Sequence, residues 1–313
     1  TVTSNNAGCI LTDTARIQVF TASVAIAASP SGTICSGTSV TFTATPTNGG
    51  TTPAYQWYLN GAPVGTNSPT YTNSTLANGN TVYVVLTSNA PCLVTNMATS
   101  STITMNVTSI PVTPGTISGT TPICAGTSNT YSITAIAGAT FYTWTLPGGW
   151  TGTSTTTSIT GTAGVTGGNI TVTAGNTCGS SSTQTLAVAV TVIPATPGTI
   201  TGTTTICSGT SNTYSIAAVS GATSYTWTLP GGWTGTSTTS SITTTASATS
   251  GNITVTANNT CGNSAAQTLA IIVNTIPATP GTITGATPIC AGTTNTYSIT
   301  AIAGATSYTW TMP

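Results

Sequence analysis

The sequence repeats itself every 83 residues, and that period constrains the fold more than any other feature. PGTISGTTPICAG starts at Pro114, PGTITGTTTICSG at Pro197 and PGTITGATPICAG at Pro280. Other landmarks keep the same offset: SNTYSI at Ser128 and Ser211, YTWTLPGGWTGTST at Tyr142 and Tyr225, GNITVTA at Gly168 and Gly251, and QTLA at Gln184 and Gln267. A TCG holding Cys178 or Cys261 falls between the last two. Solenoid repeats run to about 45 residues and bury a core only by stacking. An 83-residue unit is a bead that buries its own core, though marginally.

Each bead reads as all-β. Thr, Val, Ile, Tyr and Trp favour strands, and Gly, Pro and Asn mark turns every 8–12 residues. In Tyr142-Thr143-Trp144-Thr145-Leu146 the bulky residues share one face, and in Leu186–Val192 branched residues alternate with small ones. The fold class expected is therefore all-β, with tandem β-sandwich domains arranged as a rod. Residues 109–191 and 192–274 form two whole repeats, and 275–313 form a truncated one. Residues 21–108 form a related but different sandwich, with strands at Ser39–Ala44, Tyr55–Tyr58, Thr81–Thr87 and Ala98–Val107 and a hairpin turn at Asn60-Gly61. Residues 1–20 read as the end of a preceding sandwich, with Cys9 at its last hairpin turn. The break at Pro313, within the strand holding Trp310, and the lack of a basic, apolar leader suggest an internal piece of a longer chain.

Charge is almost absent. The 313 residues include one Arg (Arg16), one Asp (Asp13) and no Lys, Glu or His. General acid–base catalysis needs a group titrating near working pH, and a Ser or Cys nucleophile needs a neighbouring base. No such set exists, so the chain reads as not an enzyme, without catalytic or metal-ligating residues and without a cofactor. Calcium sites are built largely from carboxylates. Nucleic-acid binding needs cations to neutralise phosphates. No apolar run approaches the roughly 18 residues of a membrane helix. Low hydrophobicity with high net charge marks disorder; here 38% of residues are hydrophobic, which argues for packed cores.

These patterns carry a family resemblance. AYQWYLNGAPVGTNSPTYTNSTLANGNTVYVVLTSNAPC, from Ala54 to Cys92, resembles the Ig-like repeats of very large secreted proteins of Bacteroidota. The units built on ICAGTSNTYSI, ATFYTWTLPGGW and GNITVTAGNTCG resemble the PKD-like repeats of the same proteins. The resemblance implies a secreted, cell-surface location, type IX secretion and a role in adhesion or gliding motility.

Trp57, Trp144, Trp227 and Trp310 fall mid-strand, where an Ig-type sandwich keeps its core Trp. Trp150 and Trp233 follow Pro-Gly-Gly turns; they read either as plugs of the domain end or as ligand contacts for a sugar face. Asp13-Thr14-Ala15 matches a bacterial O-glycan acceptor pattern, which makes Thr14 a candidate attachment site.

Eight Cys without metal-type spacing point to disulfides and an oxidising compartment. Pairing within domains would join Cys35–Cys92, Cys124–Cys178 and Cys207–Cys261. Ig-type strand order disfavours it. Cys124 precedes strand B, at the pole where the chain leaves the domain, and Cys178 follows strand F, at the pole where it enters. Those poles lie a sandwich length apart, beyond the roughly 7 Å Cα limit of a disulfide. Successive domains bring exit pole against entry pole, which favours Cys35–Cys178 and Cys124–Cys261. Cys9, Cys92, Cys207 and Cys290 would then bond outside this sequence. Within-domain pairing stays open if the repeats depart from Ig strand order.

The leading functional expectation is a stiff stalk or filament of a large extracellular adhesin, partnered by neighbouring repeats, surface glycans or other copies of the filament. A carbohydrate-binding or spacer module beside a secreted enzyme, and a homopolymeric surface filament, are the alternatives.

Overall fold

A computed structural model describes residues 2–6, 9–13 and 20–312. Among them every regular element is a strand and no helix forms. Strands β1 (Val2–Asn6) and β2 (Cys9–Asp13) make a hairpin, with Asn6 opposite Cys9.

The first sandwich contains β3 (Ser23–Ser29), β4 (Thr33–Cys35), β5 (Val40–Thr47), β6 (Ala54–Leu59), β7 (Ala62–Val64), β8 (Thr70–Asn73), β9 (Thr81–Thr87), β10 (Met97–Thr99), β11 (Ile103–Thr104) and β12 (Asn106–Thr108). One sheet runs β3-β5-β8; the other runs β10-β9-β6-β7, with β11 also on β9. Period-two burial supplies the core: Val40, Phe42 and Ala44 from β5, and Val82, Val84 and Leu86 from β9. Trp57 is fully buried between them, and its indole N–H donates to Ser68 O at 2.9 Å. Asn60 and Gly61 both take positive φ (50° and 80°), the left-handed pair that a two-residue hairpin turn requires.

One expected strand is broken. The Ala98–Val107 run becomes β10, β11 and β12, because the register on β9 moves by one residue between Thr99↔Val85 and Ile103↔Val82. The buried Ser100 hydroxyl fills the gap, accepting from Val84 N at 3.1 Å and donating to Ser101 O at 2.8 Å. β12 then leaves β9 and pairs in parallel with β4.

The first whole repeat contains β13 (Ile123–Cys124), β14 (Ser128–Ser132), β15 (Phe141–Thr145), β16 (Ser158–Thr162), β17 (Gly168–Asn176), β18 (Gly179–Ser180), β19 (Gln184–Val188) and β20 (Val190–Thr191). The second contains β21 (Thr205–Cys207), β22 (Ser211–Ser215), β23 (Ser224–Thr228), β24 (Ser241–Thr245), β25 (Gly251–Asn259), β26 (Gly262–Asn263) and β27 (Gln267–Asn274). The ladders correspond residue for residue: Tyr131↔Ile159 matches Tyr214↔Ile242, and Trp144↔Val172 matches Trp227↔Val255. In each repeat a two-stranded sheet (β14-β16 or β22-β24) accompanies a larger one centred on β17 or β25. Each repeat has its own core cluster. Trp144 and Trp227, expected at the centre, only pack against that cluster. Tyr131 and Tyr214 are the large fully buried side chains instead.

With almost no charges available, hydroxyls decorate the outer faces. Thr130 and Thr160 approach to 2.9 Å, as do Thr213 and Thr243, and Ser128–Thr162 and Ser211–Thr245 follow at 2.8 and 3.0 Å. Such cross-strand pairs each contribute about 0.2–1 kcal/mol.

Tyr214 is held by a glycine and a carbonyl. A Cβ on Gly202 would lie 2.3 Å from the Tyr214 ring, so the close approach requires glycine there. The phenol donates to Thr203 O at 3.0 Å. Burial raises its pKa above the ordinary 10.0. The folded state therefore keeps a proton that the unfolded chain releases, so stability is full below about pH 10 and falls as pH rises further. With one Asp and one Arg in the chain, the melting temperature of oxidised protein is expected to stay flat from about pH 4 to 9 and then drop. A drop of many degrees within the flat range, followed by circular dichroism, would contradict this.

Residues 275–312 form no named strand, only the bridge Thr284↔Ser298. Tyr297 is 43% exposed although its counterparts Tyr131 and Tyr214 are 0% exposed. In the whole repeats, residues of β16, β17 and β19 or their equivalents cover this face; the segment 275–312 has no such strands beside it.

Candidate functional site at the domain junctions

Three cysteines each end a short strand near the start of their domains: Cys35 ends β4, Cys124 ends β13 and Cys207 ends β21. The parallel ladders set Cys35 opposite Thr108, Cys124 opposite Thr191 and Cys207 opposite Asn274, where each domain's last strand ends. They therefore lie at the exit pole. Cys178 and Cys261 sit in the tight hairpins closed by Asn176↔Gly179 and Asn259↔Gly262, at the opposite, entry pole. The structure joins Cys35 to Cys178 and Cys124 to Cys261, each with Cα atoms 5.5 Å apart. Each bridge crosses from one domain to the next. Non-reducing peptide mapping after peptic digestion should recover these two linkages; a peptide joining Cys124 to Cys178 would contradict them.

An asparagine completes each junction. The Asn176 amide donates to Ser109 O at 2.8 Å and Gly138 O at 3.1 Å, and its Oδ1 accepts from Cys178 N at 2.8 Å. Asn259 repeats the arrangement with Val192 O at 2.7 Å, Gly221 O at 3.2 Å and Cys261 N at 2.8 Å. One side chain thus fastens the connecting segment to the hairpin that carries the cysteine. Ile110 lies over Gly179 and Ile193 over Gly262, with an added Cβ reaching 3.2 and 3.4 Å from the isoleucine Cδ1. These asparagines escape a sequence reading centred on cysteine. Their signal is the spacing Asn-Thr-Cys-Gly, in which an Asn side chain caps a backbone N–H two residues on.

Several sequence-predicted residues fall elsewhere. Cys92, Cys207 and Cys290 are exposed and pair with no cysteine among the described residues. Thr14 and the Cys9 side chain lie outside the described residues. Trp150 and Trp233, read as candidate ligand contacts, are each only 8% exposed. The correction has a physical cause: the Pro-Gly-Gly turn folds each indole back over the domain end, where its N–H donates to Thr166 O or Thr249 O at 2.9 Å. A ring that is covered and has its donor satisfied offers no stacking face. A cavity of about 840 Å³ is lined by residues that include Ile283, Ile299, Ile302, Tyr308 and Trp310. All five correspond to core or core-packing positions of the second whole repeat (Ile200, Ile216, Val219, Tyr225 and Trp227), so the cavity is an uncovered core face. No group of side chains suited to a metal occurs among the described residues.

A family model described as PKD-like domain matches residues 110–188, 193–271 and 276–313. The chain belongs to the PKD-like domain family. No curated protein matches it. Among solved structures, Drosophila OTK extracellular domains 3-5 are similar at 13% identity, covering 77% of this chain and 93% of that one, with a TM-score of 0.32. Domains A168-A170 from titin give 16% identity, 74% and 92% coverage and a TM-score of 0.35. Sidekick-1 immunoglobulin domains 1-5 give 13%, 78% and 57%, with a TM-score of 0.34. The PKD-like repeats here thus pair a small all-β core with a junction built from Cys, Asn and Ile at matched positions. No helix among the described residues is long and apolar enough to cross a membrane.

Proposed function

We propose that this chain is a non-catalytic structural segment of a large extracellular adhesin, a stiff stalk that holds a surface-attachment or gliding apparatus away from the cell. The observation that carries this reading is the recurrence of one covalent clamp at two successive junctions, Cys35–Cys178 and Cys124–Cys261. A flexible linker suffices for a spacer, whereas a bridge plus an asparagine latch at each joint removes bending freedom. Exposed disulfide-bonded domains suit an oxidising, extracellular setting. The resemblance to repeats of giant Bacteroidota surface proteins supports export by the type IX route. The partners on this reading are the neighbouring repeats, with surface glycans or further copies of the filament as the attached surface.

Antibodies raised against the chain test the proposal on intact cells. Surface labelling without permeabilisation, with antibody fragments blocking attachment under flow, is the expected result. Labelling that requires permeabilisation, or attachment indifferent to the antibody, would overturn it.

A further inference from the structure

We infer that the two bridges form a force bypass that reroutes tension through the central repeat and shields the connecting segments. The inference rests on the stalk reading, because only a tensioned chain has a load to route. The bridges interleave: Cys124 lies inside the 143-residue separation closed by Cys35–Cys178, and Cys178 lies inside the 137-residue separation closed by Cys124–Cys261. The shortest covalent route from Cys35 to Cys261 therefore crosses to Cys178, runs backwards over 54 residues to Cys124, and crosses to Cys261. Residues 36–123 and 179–260 lie off that route. They include Ser109, Ile110, Val192 and Ile193 of both connecting segments.

The reversal changes what resists the pull. In a chain loaded through its backbone, tension enters the central repeat at the isolated bridge Ser118↔Ser132 and then at β13, which is held to β20 by two residue pairs, Ile123↔Val190 and Cys124↔Thr191. With the bridges closed, tension enters at Cys178, just past β17, and leaves at Cys124, just before β14. β17 points from exit to entry pole and is pulled along its own axis. It is held by five residue pairs to β15 and five to β19. β14 is likewise pulled lengthwise against β16, across five pairs. Lengthwise shear loads every bond of a ladder together, so the oxidised repeat resists at its strongest ladders instead of its shortest one.

The bypass also limits extension. An extended chain spans about 3.5 Å per residue, so an unfolded central repeat releases at most about 190 Å over 54 residues, against about 290 Å over a full 83-residue period. In the first sandwich only the strands before Cys35 can peel, and in the second whole repeat only those after Cys261.

Stretching the whole oxidised chain from its two ends in an optical trap tests this. One large step of about 190 Å, less the folded length, is expected, in place of three steps of about 290 Å in reducing buffer, using the same extended length per residue. The oxidised rupture force should exceed the reduced one. Steps of full-period length in the oxidised chain overturn the inference, and so does an oxidised rupture force no higher than the reduced one. The oxidised step length is absolute, so the test survives a reduced chain that does not refold. A chain that gives the short step but never reaches a cell surface would overturn the stalk reading and leave the bypass standing.

Discussion

Reduction of the two bridges is expected to lower the melting temperature of the central repeat by at least roughly 20 °C. In the chain-entropy account, closing a separation of 143 residues stabilises the fold by about 5 kcal/mol. For a domain of this size each kcal/mol corresponds to about 4–8 °C. The central repeat is the one tied at both ends, by Cys178 backward and Cys124 forward, so it has most to lose. Calorimetry with and without a phosphine reductant measures the shift. The double replacement Cys124→Ser and Cys178→Ser should reproduce most of it without reductant. A shift below about 5 °C, roughly 1 kcal/mol on the same scale, would show that the bridges hold geometry but not stability.

The second large effect concerns one tyrosine position in two copies of the repeat. Tyr214→Ala should unfold the second whole repeat, because truncating a fully buried large side chain costs about 3–5 kcal/mol. At roughly 0.05–0.15 kcal/mol per residue, a repeat of this length has only about 4–12 kcal/mol to lose. Tyr214→Phe keeps the ring and loses only the hydrogen bond to Thr203 O, at about 1 kcal/mol. It should also remove part of the alkaline loss of stability. Tyr297→Ala, at the equivalent position in the uncovered segment, should leave the melting curve unchanged, since Tyr297 is 43% exposed. Proteolytic fragment patterns and tryptophan fluorescence of the three variants distinguish these outcomes. Equal destabilisation at Tyr214 and Tyr297 would mean that the segment 275–312 is covered in solution.

Much of the architecture was legible before any coordinates. The 83-residue period and the alternation in Tyr142–Leu146 are enough to determine a series of all-β beads, because burial follows the period-two pattern. The poles of Cys124 and Cys178 also follow from strand direction, which alternation and turn signals encode. The tertiary structure alone decided the rest. Whether Trp150 faces a ligand or its own domain depends on the path after Pro-Gly-Gly, and local pattern does not record that path. Ser100 falls inside the single strand expected at Ala98–Val107, yet a one-residue register shift breaks that strand there and leaves Ser100 buried. Asn176 looks like a turn residue, and only the arrival of Ser109 and Gly138 at the same place makes it a latch. Each of these depends on segments tens of residues apart meeting in space, which the periodicity of any one strand cannot specify.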